Sequence, residues 1–298
     1  MRLHRKSKTP VNWDALPENR WLRGGCLMVR RYLRHGVSSQ SAALAFYLLF
    51  TIFPLVIFFS SLLGLLHIEW GGFFDIAQRF FPGDVLAYLQ TYLAYVQENS
   101  SVRLLLFGLF FSLFFPMRAA NSLMRSVRTA YRLGPPRTPI LQLVKTALFT
   151  VMLLVTIILT LVLLTVGEWL LGYAVAHFGL PVAAAELWQR LRFPAMAVLM
   201  YFAQYFLYAL AQDERQPQRN FFPGVLAALM GWMVVSVCYS LYVENLADYS
   251  VLYGSLGTAI VLLIWLYLTA MMLIMGAELN GVLISLRREA DAREKETH

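Results

Sequence analysis

The stretch YGSLGTAIVLLIWLYLTAMMLIMGAELN, residues Tyr253–Asn280, decides the fold of this chain. It exceeds the roughly 20 apolar residues that a helix needs to cross a bilayer, and no charge interrupts the sequence from Tyr249 to Ala277. Near its end it carries a carboxylate, Glu278, and an amide, Asn280. An ionisable side chain at membrane depth is costly, which makes it a candidate for function. The alternative is that a neighbouring helix satisfies Glu278 for packing alone.

The composition places this stretch in a membrane protein with several spans. Of the 298 residues, 59% are hydrophobic and 14% are charged, whereas about 25% of the residues of a soluble domain are charged. We therefore predict an all-α polytopic membrane protein in which residues 41–286 form six transmembrane helices. The predicted spans are Ser41–Leu66, a span from Val102 to about Met124, Thr146–Gly167, Phe193–Ala211, Phe221–Val243 and the opening stretch.

The distribution of basic residues predicts the orientation. Cytoplasmic segments carry an excess of lysine and arginine. Most of the 25 such residues lie in the N-terminal arm, in the segment after the second span and in the tail. Both termini should therefore be cytoplasmic, with an arm and a basic helix in residues 1–40 and a short, frayed tail in residues 287–298. The same sorting explains the net charge of +8 without a specific nucleic-acid partner.

The segment Asn19–Gly36 predicts an N-terminal amphipathic helix before the first span. Its apolar residues share one face of a helical wheel, and its arginines gather on the other. Basic helices of this kind lie in anionic membrane surfaces; the alternative is a solvated helix docked on the protein itself. The apolar face consists of Leu22, Cys26, Val29 and Leu33, and the basic face of Arg20, Arg23, Arg30, Arg31 and Arg34.

A polar stripe follows the second span. Too few residues separate Arg103 from Arg118 for a full crossing at about 1.5 Å per residue, so the helix must carry Arg118 into the membrane. Further polar residues recur on the same helical face. Arginine suits phosphate recognition, because its planar guanidinium can bind two phosphate oxygens at once. The stripe comprises Arg118, Asn121, Arg125, Arg128 and Arg132.

The motif AALAFYLLFTIFPL at Ala42–Leu55, the arginines around Asn121 and, above all, the opening stretch resemble the YihY/virulence factor BrkB family. Pro54, inside the first motif, is predicted to kink its helix. The resemblance covers about Arg20 to Leu286 and implies six-span proteins of the bacterial inner membrane. Many members carry the name ribonuclease BN, a transfer-RNA-processing label, and the family also has links to envelope integrity and lipid handling.

Two functions fit the residues. The first is translocation or binding of an anionic lipid or amphiphile by the stripe, Glu278 and Asn280, with anionic headgroups of membrane lipids as partners. Arg118 could pair with Glu278, or it could bind a phosphate whose charge Glu278 balances. The second is a non-transporting envelope scaffold, in which Glu278 and Asn280 hold helices together.

The ribonuclease label does not fit the residues. Hydrolytic phosphoryl transfer needs metal ions or a positioned acid and base. The five histidines are scattered singly, and the sequence contains neither a phosphate-binding G-x-x-x-x-G-K-[ST] loop nor a G-x-S-x-G elbow. We therefore predict that the protein is not an enzyme and has no cofactor or metal site.

Overall fold

The computed structural model describes residues 19–66, 83–134, 138–156, 159, 182–212, 221–245 and 249–297. Within these ranges the regular secondary structure is entirely α-helical, which confirms the predicted fold class. The helices of the described part are α1 (Arg20–Arg34), α2 (Val37–Leu65), α3 (Gly83–Asn99), α4 (Val102–Ala130), α5 (Pro139–Thr156), α6 (Val182–Leu210), α7 (Phe222–Asn245) and α8 (Tyr249–Thr297).

Five helices of the described part are long and apolar enough to cross a membrane: α2, α4, α5, α7 and the Ala259–Ala292 portion of α8. The predicted span Phe193–Ala211 corresponds to the apolar part of α6, Pro194–Leu210, which is shorter than these five. The far half of the predicted span Thr146–Gly167 lies outside the described residues. A helical protein with several spans is therefore confirmed, while six crossings and two cytoplasmic termini remain predictions.

The last helix corrects the prediction for the tail. Residues 287–298 were expected to fray, but α8 continues without a break through Arg287 and Arg288 to Thr297. An ion pair contributes to this continuity, because Arg23 Nη1 of α1 lies 2.5 Å from Glu289 Oε1 of α8. The helix is therefore fixed to the rest of the protein one turn beyond its last apolar residues.

The core is centred on the second half of α4. Its side chains Ala119, Leu123, Met124 and Val127 are buried, and the same cluster includes residues from α2, α6, α7 and α8. Small residues let the neighbouring helices approach, as predicted for the start of α2, where Ser41 is fully buried. The polar stripe of the sequence thus belongs to a helix whose second half supplies much of the core.

Helices α7 and α8 pack backbone against backbone. A Cβ built at Gly276 would lie 2.5 Å from the Gly224 carbonyl oxygen and 2.7 Å from the Tyr208 hydroxyl. No larger residue fits that space, so the close contact requires glycine at this position. The close approach brings the end of the apolar stretch, with Glu278 and Asn280, against its neighbours.

Helix α1 turns part of its basic face inward. Arg23 and Arg31 are buried against α8, whereas Leu22, Val29 and Leu33 are 61%, 62% and 72% exposed. The amphipathic helix is confirmed; two arginines of its basic face dock on the protein, Arg30 and Arg34 are exposed, and its place at a membrane surface remains a prediction. The outward apolar face is available to lipid.

Candidate functional site

Glu278 lies at the centre of a buried ionic cluster that we call the Glu278 node (Arg31, His35 and Glu278). The side chain is 1% exposed and holds one partner on each carboxylate oxygen. Arg31 Nη1 donates to Oε2 at 3.3 Å, and His35 Nδ1 lies 2.6 Å from Oε1. Since a carboxylate oxygen only accepts, His35 carries its proton on Nδ1. A buried charge requires this kind of pairing and hydrogen bonding.

Arg31 joins three helices through its remaining donors. Nη1 also donates to the Ala130 carbonyl at the end of α4, at 3.0 Å. Nη2 donates to the Gly281 carbonyl and the Ser285 hydroxyl of α8, at 2.9 and 2.8 Å. Burial lowers the pKa of Arg31; nearby Arg132 acts in the same direction and Glu278 opposes both. The cost of burying this cation is offset by the carboxylate and carbonyls around it.

A tight turn after His35 places its side chain beside Glu278. Gly36 follows it in the left-handed conformation, with φ +64°, and separates α1 from α2. The Gln40 side chain then donates to the His35 carbonyl at 2.6 Å. Sequence reasoning missed His35, because a lone histidine gives no signal by itself; its position just before a helix-breaking glycine was the available clue.

Asn280 forms a second buried contact point, directly before Gly281, whose carbonyl accepts from Arg31. Its Oδ1 accepts from the Gly224 backbone N–H at 2.8 Å. Its Nδ2 donates to the Tyr131 hydroxyl at 2.9 Å and to the Phe221 carbonyl at 3.1 Å. The amide thereby connects α8 to the start of α7 and to the residue that ends α4. These bonds use both ends of the amide for packing.

The second half of the stripe opens onto a cleft between α4 and the start of α5, which we call the arginine cleft. Its volume is about 590 Å³. None of the described residues that line it is acidic. A cavity of this size with convergent cationic and amide groups is suited to an anion. The lining residues are Asn121, Arg125, Arg128, Thr129, Leu133, Gly134, Pro139 and Gln142.

The two arginines of the cleft have different surroundings. Arg128 is 5% exposed; it donates to the carbonyls of Ala211 at 2.9 Å and Gly134 at 2.6 Å. The Ala211 carbonyl ends α6, where a cation satisfies a helix terminus. Arg125 is exposed, and its guanidinium has no hydrogen-bond or ion-pair partner among the described residues. Arg128 is therefore fixed, whereas Arg125 has its donors available.

The remaining predicted site residues lie apart from the cleft. Arg118 is exposed and stacks over the Phe114 ring, 5.1 Å from its centroid. Arg132 is exposed, with φ +56° just past the end of α4. The ion-pair partners of Glu278 in the described part are Arg31 and His35, so the pairing of Glu278 with Arg118 is not found. The structure adds Gln142 and Thr129 to the cleft, which the sequence analysis did not single out.

Comparisons with known proteins agree on one family. The profile of the family described as Virulence factor BrkB matches residues 28–298. A Bacillus subtilis (strain 168) protein named Putative ribonuclease-like protein YfkH is 28% identical over 261 residues, which cover 88% of this chain and 95% of that protein.

Two further relatives match shorter segments. A UPF0761 membrane protein of Alteromonas mediterranea is 32% identical over 85 residues, 28% of each chain. The UPF0761 membrane protein YihY of Salmonella newport is 26% identical over 99 residues, 33% of this chain and 34% of that one. No solved structure matches.

Proposed function

Because this chain belongs to the virulence factor BrkB family, a family whose relatives include UPF0761 membrane proteins, we propose that it binds and translocates an anionic lipid or amphiphile in the bacterial inner membrane. The arginine cleft carries this proposal. It joins an available guanidinium, Arg125, to a fixed one, Arg128, without an acidic residue in its described lining. Such a site attracts anions and disfavours cations.

The position of the cleft favours an amphiphile. It lies where α4 ends and α5 begins, and both helices are apolar enough to span a membrane. The ends of spanning helices lie at headgroup level, where lipid phosphates are found. By the distribution of lysine and arginine, this end faces the cytoplasm. We therefore propose the cytoplasmic leaflet as the place where the substrate is bound.

The direct test is lipid translocation by the purified protein in vesicles that contain fluorescent phosphatidylglycerol. We expect faster loss of inner-leaflet label with the wild type than with Arg125→Gln. Arg103→Gln is the matched control, because Arg103 is an exposed arginine at the opposite end of the same helix. Equal rates in empty vesicles and in vesicles with wild-type protein would refute translocation.

A scaffold is the second candidate, and the complete bonding of the Glu278 node and Asn280 favours it. Polar groups that form their hydrogen bonds between helices stabilise the helix packing and need no substrate. Under this alternative, vesicles with wild-type protein show no translocation while the protein still retains anionic lipid on purification. The vesicle assay together with mass spectrometry of co-purified lipids separates the two.

We propose that the chain is not a nuclease, although a relative is named ribonuclease-like. Glu278 and His35 are the described carboxylate and imidazole that most resemble an acid–base pair. Glu278 is bound to both His35 and Arg31 inside the protein. A general base must reach the proton that it removes from a substrate. Processing of a precursor transfer RNA by purified protein, abolished by a point substitution, would overturn this.

A further inference from the structure

We infer that the arginine cleft is a phosphate-ester site for a lipid headgroup, in which Gln142 orients Asn121 so that the cleft presents donors. This inference rests on the proposed function and names the group that is recognised. Asn121 and Gln142 both line the cleft, one on α4 and one on α5. Gln142 Nε2 donates to Asn121 Oδ1 at 3.2 Å.

This amide pair fixes which end of the Asn121 amide stays available in the cleft. An asparagine amide has one accepting end and one donating end. With Oδ1 held by Gln142, the donating Nδ2 is the end left for a ligand, beside the available Arg125 guanidinium. Gln142 is thus a positioning residue for recognition, whereas Arg125 and Asn121 would contact the ligand.

A fixed part of the cleft adds positive potential. Arg128 supplies a buried positive charge held by two carbonyls. Pro139, the first residue of α5, and Thr129, in the last turn of α4, both line the cleft, so opposite ends of two helix dipoles meet there and only Arg128 is counted. Donors converging from several sides suit a tetrahedral phosphate, whose oxygens accept in several directions. A planar carboxylate has two oxygens and matches fewer of them.

An apolar face on α5 points to a lipid as the source of the phosphate. It starts at the cleft and runs along the helix at spacings of three and four residues. Its side chains are between 55% and 76% exposed. An acyl chain whose headgroup occupied the cleft could lie along this face, which a water-soluble phosphate would leave unused. The face comprises Ile140, Val144, Leu148, Val151 and Val155.

The test is a binding panel with the full-length protein in detergent, followed by native mass spectrometry. The probes are dioleoyl phosphatidylglycerol, a dioleoylglycerol hemisuccinate that carries a carboxylate instead, and free glycerol 1-phosphate as competitor. We expect the phospholipid to bind at least about tenfold more tightly than the hemisuccinate, since each added charge-assisted hydrogen bond contributes about that factor. Glycerol 1-phosphate should compete only at far higher concentration.

Substitutions locate the site. Arg125→Gln should weaken phospholipid binding about tenfold, and Gln142→Leu should lower the preference for phospholipid over hemisuccinate while the protein stays folded. Gln142→Glu keeps the size of the side chain but adds an acceptor and a negative charge, and it should weaken binding further. Arg103→Gln should change neither the affinity nor the preference.

Each contrary result has one meaning. Equal binding of phospholipid and hemisuccinate to wild-type protein, both lost in Arg125→Gln, would refute the phosphate inference and leave the proposed anionic amphiphile in place. Equal competition by glycerol 1-phosphate would refute the lipid source. An unchanged preference in Gln142→Leu would refute the role of that side chain. Absence of any anionic binding would refute both the inference and the proposed function.

Discussion

The Glu278 node and the arginine cleft differ in how far the protein itself bonds their charged side chains. In the node, a carboxylate that is 1% exposed has a bonding partner on each oxygen, and all of them come from the protein. In the cleft, Arg125 faces a cavity of about 590 Å³ without a partner among the described residues. Both sites contact the last turn of α4, since Arg31 binds its Ala130 carbonyl and Thr129 lines the cleft.

The difference shows how to separate structural from functional polar residues in a membrane protein. A place in the cleft lining is not enough to assign a role, because Arg128 lines the cleft and yet is buried like Glu278. Structural and functional polar residues differ in whether the protein itself satisfies the hydrogen-bond donors and acceptors of the side chain. Residues with complete bonding should act on stability when substituted, and residues with spare donors should act on ligand binding.

Removing the central carboxylate should have the largest effect on stability. Glu278→Ala leaves Arg31 as a buried cation without its counter-ion, which costs about 3–5 kcal/mol. We expect a large fall in the thermal unfolding temperature in detergent, read by size-exclusion chromatography after heating. Glu289→Ala is the comparison, because it removes an ion pair between the same two helices nearer the surface. Equal stability of Glu278→Ala and wild type would contradict the structural role of the node.

Arg128 tests whether part of the cleft behaves like the node. Arg128→Gln leaves the carbonyls of Ala211 and Gly134 short of a donor, at a cost of about 1–3 kcal/mol. The unfolding temperature should fall, by less than in Glu278→Ala. Size-exclusion chromatography after heating measures this change as well. If Arg128→Gln is as stable as wild type but has lost lipid binding, Arg128 is a ligand residue instead.

Substitution of Arg132 by glycine should raise stability slightly, whereas the two preceding substitutions lower it. A residue with a side chain costs about 1 kcal/mol in the left-handed conformation, and Arg132 has φ +56°. Arg132→Gly relieves this strain, so we expect a gain of about 0.5–1 kcal/mol with unchanged lipid binding. Unfolding temperature and native mass spectrometry check the two parts. A loss of affinity would return Arg132 to the binding site, where the sequence placed it.

Arg125 should have the smallest effect on stability. Its guanidinium is exposed and has no partner among the described residues, so Arg125→Gln should change the free energy of unfolding by less than about 0.5 kcal/mol. Lipid binding should nevertheless fall. This combination is the reverse of that expected for Arg128→Gln, one helical turn away. A destabilised Arg125→Gln would remove the contrast between cleft and node.

The sequence predicted the framework well for a physical reason. Spanning helices satisfy their own backbone, so their apolar length can be read locally. The depth of Glu278 and Asn280 in the last stretch correctly marked them as unusual, and both are buried. The interaction partners of these polar residues could not be predicted from local sequence. The helical wheel placed Arg31 on a basic face and left open whether that face meets the membrane surface or the protein, because a wheel shows which residues share a face but not what that face meets.

The stripe shows the same limit from another side. A common helical face was predicted for the arginines of the stripe, but the contacts of each polar side chain depend on elements far away in the chain. Arg128 is fixed by the end of α6, and Asn121 by Gln142 on α5. Arg118, outside both contacts, lies over a phenylalanine of its own helix. Only the packing of three helices separates these roles.

The contact between Arg31 and Glu278 sets an order of events during synthesis. The two residues are 247 positions apart, and ribosomes add about 5–20 residues per second, so the carboxylate emerges roughly 10–50 s after the arginine. During that interval Arg31 can bind the Ala130 carbonyl but lacks its counter-ion. A nascent protein truncated before Glu278 would therefore hold the Arg31 guanidinium without the carboxylate that balances it.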